Sequence, residues 1–383
     1  MYCSMQMEQK TVIFVSHVAS RTGAPLLLLN ALQNMHDVQW DSRVLLLQDG
    51  PLRNRFSDLY PTVVQPKVIA KIPLKFFQKD NRQIPDLYYL NSHSYSYLHR
   101  AAHEGVPVIC HVHEIPLSFA QVPEPTLELF RTYPTRYIVV SEYVRDMLVS
   151  DMGIPEDRIR HIPSGIDAQY WQRKTNGNSI REELCIPEDA TVVGMSGQVI
   201  PLKGVDIWLQ MAHRLCAEHP EKDWHFVWVG SAPPGGFVYE QLMMEEVKNL
   251  GLENCVHFVG EHEDPRPYYE MFDVFTLSSR MESLSLVCLE NTVLGVPTVA
   301  VATAGGPREF GSHGFTHLIT KSDPVELAHA VIRLMQNPEK CFQLTKQGAD
   351  IIPKQYNILK TADMMKEEVT SVLHSLTPSL ASV

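Results

Sequence analysis

Residues 275–309 read FTLSSRMESLSLVCLENTVLGVPTVAVATAGGPRE. The apolar run 274–277 predicts a short buried strand. Residues 278–285 are polar and carry one carboxylate, Glu282. Leu286, Val287, Leu289, Val293 and Leu294 then recur at helical spacing, and Gly295-Val296-Pro297 stops the helix. Residues 298–302 predict a second strand, followed by Gly305-Gly306. Glu290 stands eight residues after Glu282, on the second turn of the predicted helix. Between the two carboxylates, the amides of Ser285, Leu286 and Val287 are orphan donors at a helix N-terminus, a ready place for an anion. A phosphate on those amides, one carboxylate toward a sugar and the other toward a ribose would use that spacing. Two solvated glutamates on an ordinary amphipathic helix would show it as well, so the pair alone decides nothing.

The run Glu282-Ser283-Leu284-Ser285-Leu286-Val287-Cys288-Leu289-Glu290 sits within a wider frame. With Gly295-Val296-Pro297-Thr298-Val299 and Gly305-Gly306-Pro307-Arg308-Glu309 it resembles the E-x7-E region of retaining glycosyltransferase family 4. That resemblance implies an α/β protein of GT-B type, with two Rossmann-like, doubly wound parallel-sheet domains facing a central cleft. It implies retaining transfer of a sugar from a nucleoside-diphosphate sugar, UDP- or GDP-linked, to a hydroxyl of a saccharide or glycolipid acceptor. No cofactor and no metal at the phosphates are expected, and no Asp-x-Asp occurs in the chain.

Composition agrees with a two-domain globular protein. The chain has 383 residues, 44% hydrophobic and 20% charged. A formal net charge of -11 argues against a nucleic-acid partner, whereas a nucleotide-sugar enzyme needs only a small positive pocket. No apolar run approaches the ~18 residues of a membrane helix. The N-terminal MYCSMQMEQK has no hydrophobic signal core, so a cytoplasmic protein is expected. The seven cysteines lack a CxxC spacing and read as reduced thiols, with no metal constellation in view. Lys67, Lys71, Lys75 and Lys79 recur every four residues among apolar neighbours. They form either a basic patch for an anionic acceptor or an inner membrane face, or a solvated loop surface; Pro73 argues against a continuous helix there.

Along the first half, residues 11–15 predict the first strand, and Pro25 opens a helix after a loop ending at Gly23. Gly23 matches the family's glycine-containing first loop, with one glycine where two are familiar. No GxGxxG is present, which excludes a dinucleotide fingerprint. The strand 106–112 runs into His111-Val112-His113-Glu114, at the end of a parallel strand where ligands bind. Alternation places His111 and His113 on one face. In the resembling family a His near this point approaches the donor sugar; His113 is the first match and His111 the alternative. The polar stretch 172–179 is the expected linker, between domains at 1–170 and 180–364. A C-terminal helix at about 365–383 is expected to return to the first domain.

In the second half, residues 191–196 predict a strand, and the loop after it leads through Gln198 to Lys203-Gly204 and a helix. A lysine beside a positive helix N-terminus is unfavourable unless an anion sits there, which suits a diphosphate. The segment resembles the family's G-R…K-G loop, with Gln198 where Arg is usual. Either Lys203 and the helix amides suffice, or Arg280 or Arg308 supplies the missing charge, or donor binding is impaired. The resemblance therefore assigns Glu282 to the donor sugar, Glu290 to the ribose, and Gly23, Gln198, Lys203, Ser285, Leu286 and Val287 to the donor. Two rivals remain: a nucleotide-sugar-binding protein without transfer, and a GT-B epimerase or phosphorylase.

Overall fold

The computed structural model describes residues 9–65, 84–175 and 177–376. The lysine row at 67–79, and with it the expected membrane contact, lies outside the described residues. The chain divides into two compact units, Met1–Gly165 with Ile358–Val383, and Ile166–Asn357.

Unit 1 carries a seven-stranded sheet: β1 (Lys10–Ser16), β2 (Trp40–Leu46), β3 (Thr62–Val64), β4 (Leu87–Asn91), β5 (Val108–Val112), β6 (Arg136–Val139) and β7 (Ile159–His161), in the order β3-β2-β1-β4-β5-β6-β7. Unit 2 carries six strands: β8 (Thr191–Ser196), β9 (Trp224–Val229), β10 (Val256–Gly260), β11 (Val274–Leu277), β12 (Thr298–Val301) and β13 (His317–Ile319), in the order β10-β9-β8-β11-β12-β13. Every pairing is parallel. The inner strands β4, β5, β9, β11 and β12 are buried at every position, as expected where helices cover both faces of a sheet. Val12, Ile13, Phe14 and Val15 are all fully buried, although alternation places them on opposite faces. In each unit the order reverses once, between β1 and β4 and between β8 and β11. A crevice opens at such a reversal beyond the carboxyl ends of the strands.

The last helix, Ile358–Ser375, belongs to unit 1. Its residues Ile358, Ala362, Met365, Val369 and Val372 enter the core formed with Leu28, Leu32 and Phe56. It begins at Ile358, earlier than the expected 365, because Ile358 and Ala362 already face that core. Thr361 Oγ1 donates to Pro163 O at 2.8 Å, and Arg136 pairs with Glu368 at 3.2 Å.

The stretch expected as a linker is held inside unit 2. Arg173 donates to Glu270 O at 2.6 Å and to Leu294 O at 3.0 Å. The amides of Lys174 and Thr175 donate to the Glu270 carboxylate at 2.6 and 3.1 Å. Polar composition signalled a loop there; these long-range bonds make it part of the unit. Among the described residues, no helix is long and apolar enough to cross a membrane.

Candidate active site

In unit 2 the chemistry gathers at the β8/β11 reversal. Three backbone segments are stitched together there. The loop after β11 meets the short 3-10 turn Pro201–Lys203: Arg280 N donates to Leu202 O at 2.9 Å, and Ser278 Oγ donates to Lys203 O at 2.9 Å. Gly204 closes that turn with φ +69°, and a Cβ on it would lie 2.3 Å from Ser278 O. Only glycine allows both the left-handed backbone and the close approach. The same loop is clamped to the glycine loop after β12. Glu282 N donates to Ala304 O at 2.7 Å, and Gly306 N donates to Glu282 O at 3.0 Å. A Cβ on Gly306 would lie 2.3 Å from Ser283 O.

This backbone frame aims Lys203 and Glu282 at each other. Lys203 Nζ donates to Glu282 Oε1 at 2.6 Å, and Ser279 Oγ donates to the same oxygen at 2.6 Å. The Glu282 side chain is 8% exposed and that of Lys203 23%. The anion expected beside Lys203 is therefore, in this structure, the Glu282 carboxylate. The lysine before the helix N-terminus and the loop glutamate form one charged pair.

Ser285 precedes the helix Leu286–Val293 with φ 86° and ψ 83°, a left-handed conformation that costs a non-glycine residue ~1–3 kcal/mol. Its side chain does not cap the helix; Oγ donates to Cys288 Sγ at 3.4 Å. The amides of Leu286 and Val287 begin the helix and have no acceptor within it. Glu290, one turn further, is half-buried, and its carboxylate has no hydrogen-bond partner among the described residues. Desolvation pushes that carboxyl up to about 8.

Arg280, one of the two arginines that could replace the charge missing at Gln198, is paired in this structure. Its guanidinium forks onto Asp206 at 2.9 and 2.7 Å and also donates to Pro201 O at 2.6 Å. Arg308 is exposed on the helix Pro307–Ser312.

In unit 1 the histidines lie at the carboxyl end of β5. Gly23 starts the helix Gly23–Asn34, after an extended Thr22. His111 is fully buried; its Nδ1 meets Tyr89 Oη at 2.8 Å, and its buried Nε2 has no partner among the described residues. Burial lowers it to about 3. His113 is half-buried, with its ring centroid 4.2 Å from that of His111. Its Nε2 lies 3.0 Å from Asn91 Oδ1, and its backbone N donates to Glu114 Oε2 at 2.9 Å. Of the two histidines only His113 has surface to offer a ligand.

Sequence reasoning missed three residues here. His17 follows β1, His93 follows β4, and their rings lie 5.6 Å apart. Asn91 ends β4 and reaches Ala24 O at 3.1 Å. Their signal was position alone: His17 lies just past the predicted strand 11–15, and Asn91 and His93 lie at the carboxyl end of β4.

Among the described residues, no three His, Cys, Asp or Glu side chains are grouped to hold a metal.

Two sequence families match the chain. "Glycosyltransferase Family 4" covers residues 48–170 and "Glycosyl transferases group 1" covers 177–350. The D-inositol 3-phosphate glycosyltransferase 2 of Catenulispora acidiphila is 28% identical over 62% of this chain and 58% of its own length. The D-inositol 3-phosphate glycosyltransferase of Saccharomonospora viridis is 25% identical over 68% and 64%. The chain thus spans less than two thirds of the length of these curated relatives. Among solved structures, Anabaena Alr3699/HepE in complex with UDP and glucose superposes with a TM-score of 0.82 and 21% identity, covering 94% of this chain and 99% of that one. Sucrose-phosphate synthase from Thermosynechococcus elongatus gives 0.78 and 18% identity over 96% and 100%.

Two parallel-sheet α/β units with these neighbours define a GT-B fold. Within it, the chain belongs to the glycosyltransferases of the family 4 type.

Proposed function

We propose that this protein transfers a sugar, with retention and without a metal at the phosphates, from a nucleoside-diphosphate sugar to a hydroxyl of a saccharide or glycolipid acceptor. The observation that carries the reading is the Lys203–Glu282 pair, 2.6 Å apart and followed by the helix that bears Glu290. Lys203 and the Leu286 and Val287 amides take the diphosphate and stabilise the charge that develops as it leaves. Preorganised donors of this kind contribute about 3–4 kcal/mol each in other enzymes. Glu282 then turns from Lys203 to the sugar hydroxyls. Glu290, whose carboxyl has no hydrogen-bond partner among the described residues, takes the ribose hydroxyls. Unit 1 supplies His113 as a hydrogen-bonding group for a sugar hydroxyl. The UDP held by the Anabaena neighbour makes UDP the first base to try.

The test is thermal unfolding against UDP, GDP, ADP, CMP and dTDP, with and without Mg2+. A ligand at 100 times its Kd adds about 2.7 kcal/mol. One nucleotide stabilising the protein without metal supports the donor site and selects the donor for an activity screen. No shift with any of the five would sink it.

A second reading is favoured by Gln198 and by the commitment of Arg280 to Asp206. Without the usual arginine at 198, the protein would bind a nucleotide sugar without transferring it. Nucleotide affinity without turnover across acceptors distinguishes the two.

A further inference from the structure

Asn91 lies fully buried at the carboxyl end of β4, next to the strand reversal of unit 1. Its amide has two neighbours of fixed character. Nδ2 lies 3.1 Å from Ala24 O, and Oδ1 lies 3.0 Å from His113 Nε2. A backbone carbonyl only accepts, so the Asn91 NH2 must face Ala24. Turning the amide over would set oxygen against oxygen. The Oδ1 that remains also only accepts, so His113 Nε2 must carry a hydrogen.

We infer that Asn91 is a positioning residue that locks His113 in the Nε2–H tautomer and leaves its Nδ1 as a lone-pair acceptor for a ligand hydroxyl. This rests on the role given to His113 above. The ring stays neutral because burial holds it well below the usual imidazole range, with His111, His17 and His93 adding to the effect. Those three imidazoles reach it from β5, from the loop after β1 and from the loop after β4. Glu114 is occupied: it accepts from the His113 amide at 2.9 Å, from Ser92 Oγ at 2.6 Å and from Tyr95 Oη. No described residue partners His113 Nδ1. The ring is also held from the side by His111, 4.2 Å away between centroids. An acceptor nitrogen selects for a hydroxyl donor, so a substrate deoxygenated at the contacted carbon loses that bond.

The experiment is long-range 1H–15N correlation of the histidine side chains in the full chain without donor, with His113 assigned by its absence in His113→Gln. The expected wild-type spectrum shows Nε2 protonated and Nδ1 unprotonated. In Asn91→Ala the two nitrogens shift toward each other as the tautomers mix. In Asn91→Asp the carboxylate raises the His113 titration midpoint by ~1–3 pH units. A wild-type Nδ1–H form, a wild-type mixture, or an unchanged spectrum in both variants would overturn the inference. The spectrum is read without a donor, so its failure is separable from failure of the transfer reaction.

Discussion

Lys203 Nζ donates to Glu282 Oε1 at 2.6 Å, joining two loops whose contacts are 79 residues apart in the chain. On the proposed function, a diphosphate that takes Lys203 competes with this carboxylate, a sugar hydroxyl that takes Glu282 releases the lysine, and the pair would couple the two halves of the donor. Lys203→Ala and Glu282→Ala are each expected to lower transfer at least ~100-fold, read as kcat/KM. Near-normal rates in both would remove this site from consideration. The pair also predicts a stability pattern. Lys203→Ala strands a carboxylate that is 8% exposed, with the Ser279 hydroxyl left as a donor, and costs ~1–3 kcal/mol in denaturant unfolding. Removing both charges recovers part of that loss, because the uncompensated carboxylate is gone.

Glu290 gives a pH-dependent prediction. Its folded carboxyl is pushed up to about 8 by desolvation, from an ordinary value of 4.5. A group raised in the folded state contributes stability that is fully present below the unfolded value and lost as pH rises through the folded one. The unliganded protein should therefore lose stability between pH 4.5 and about 8 in a way that Glu290→Gln does not. Melting temperatures of both proteins across that range make the comparison. Two ribose hydroxyls donating to the carboxylate favour its charged form. Nucleotide binding at pH 7 should then release protons, measured by calorimetry in buffers of different ionisation enthalpy. Parallel melting curves and no proton release would show that Glu290 is not the ribose carboxylate.

Gly204 couples backbone to site. Gly204→Ala puts a Cβ 2.3 Å from Ser278 O at φ +69°. The turn bearing Lys203 must shift away from the loop bearing Glu282. The expected result is ~1–3 kcal/mol of lost stability together with a loss of transfer greater than folding alone explains. Activity measured well below the melting point of the variant separates the two effects. Full activity there would mean that the turn does not need this register.

How much of this was legible in the sequence follows from the range of each interaction. The strand Thr191–Ser196 was readable residue by residue because its apolar run is buried on both faces, a property of local composition. The helix Leu286–Val293 and the position of Glu290 were readable from spacing and from the glycine and proline that follow. The contact between Lys203 and Glu282 was not readable, since it depends on how the Pro201–Lys203 turn lies on the loop after β11. Asn91 was invisible for the same reason: it ends an apolar strand with no motif around it, and its partners Ala24 and His113 come from other elements. The stretch 172–179 looked like a linker because its polarity is local, whereas the bonds of Arg173, Lys174 and Thr175 to Glu270 are distant. His111 and His113 were correctly set on one face by alternation, but only the structure shows that His111 is fully enclosed.

Gln198 supplies the last test, because it bears on which of the two readings holds. Its side chain has no hydrogen-bond partner among the described residues, and Arg280, its nearest candidate substitute by sequence, is spent on Asp206 at 2.7 and 2.9 Å. An arginine placed at 198 would add a charge-assisted, two-pronged donor where the uncharged amide now stands. Gln198→Arg should tighten nucleoside-diphosphate affinity by about tenfold, equivalent to ~1.4 kcal/mol. The gain should shrink with added salt, and nucleoside monophosphates should gain less, since the new contact is with the diphosphate. If the natural protein binds without transferring, the same change should also bring measurable turnover. If it already transfers, kcat should change little while donor KM falls. Unaltered affinity for both mono- and diphosphates would show that residue 198 does not face the phosphates, and the charge would then have to come from Lys203, Arg280 or Arg308 with the helix amides.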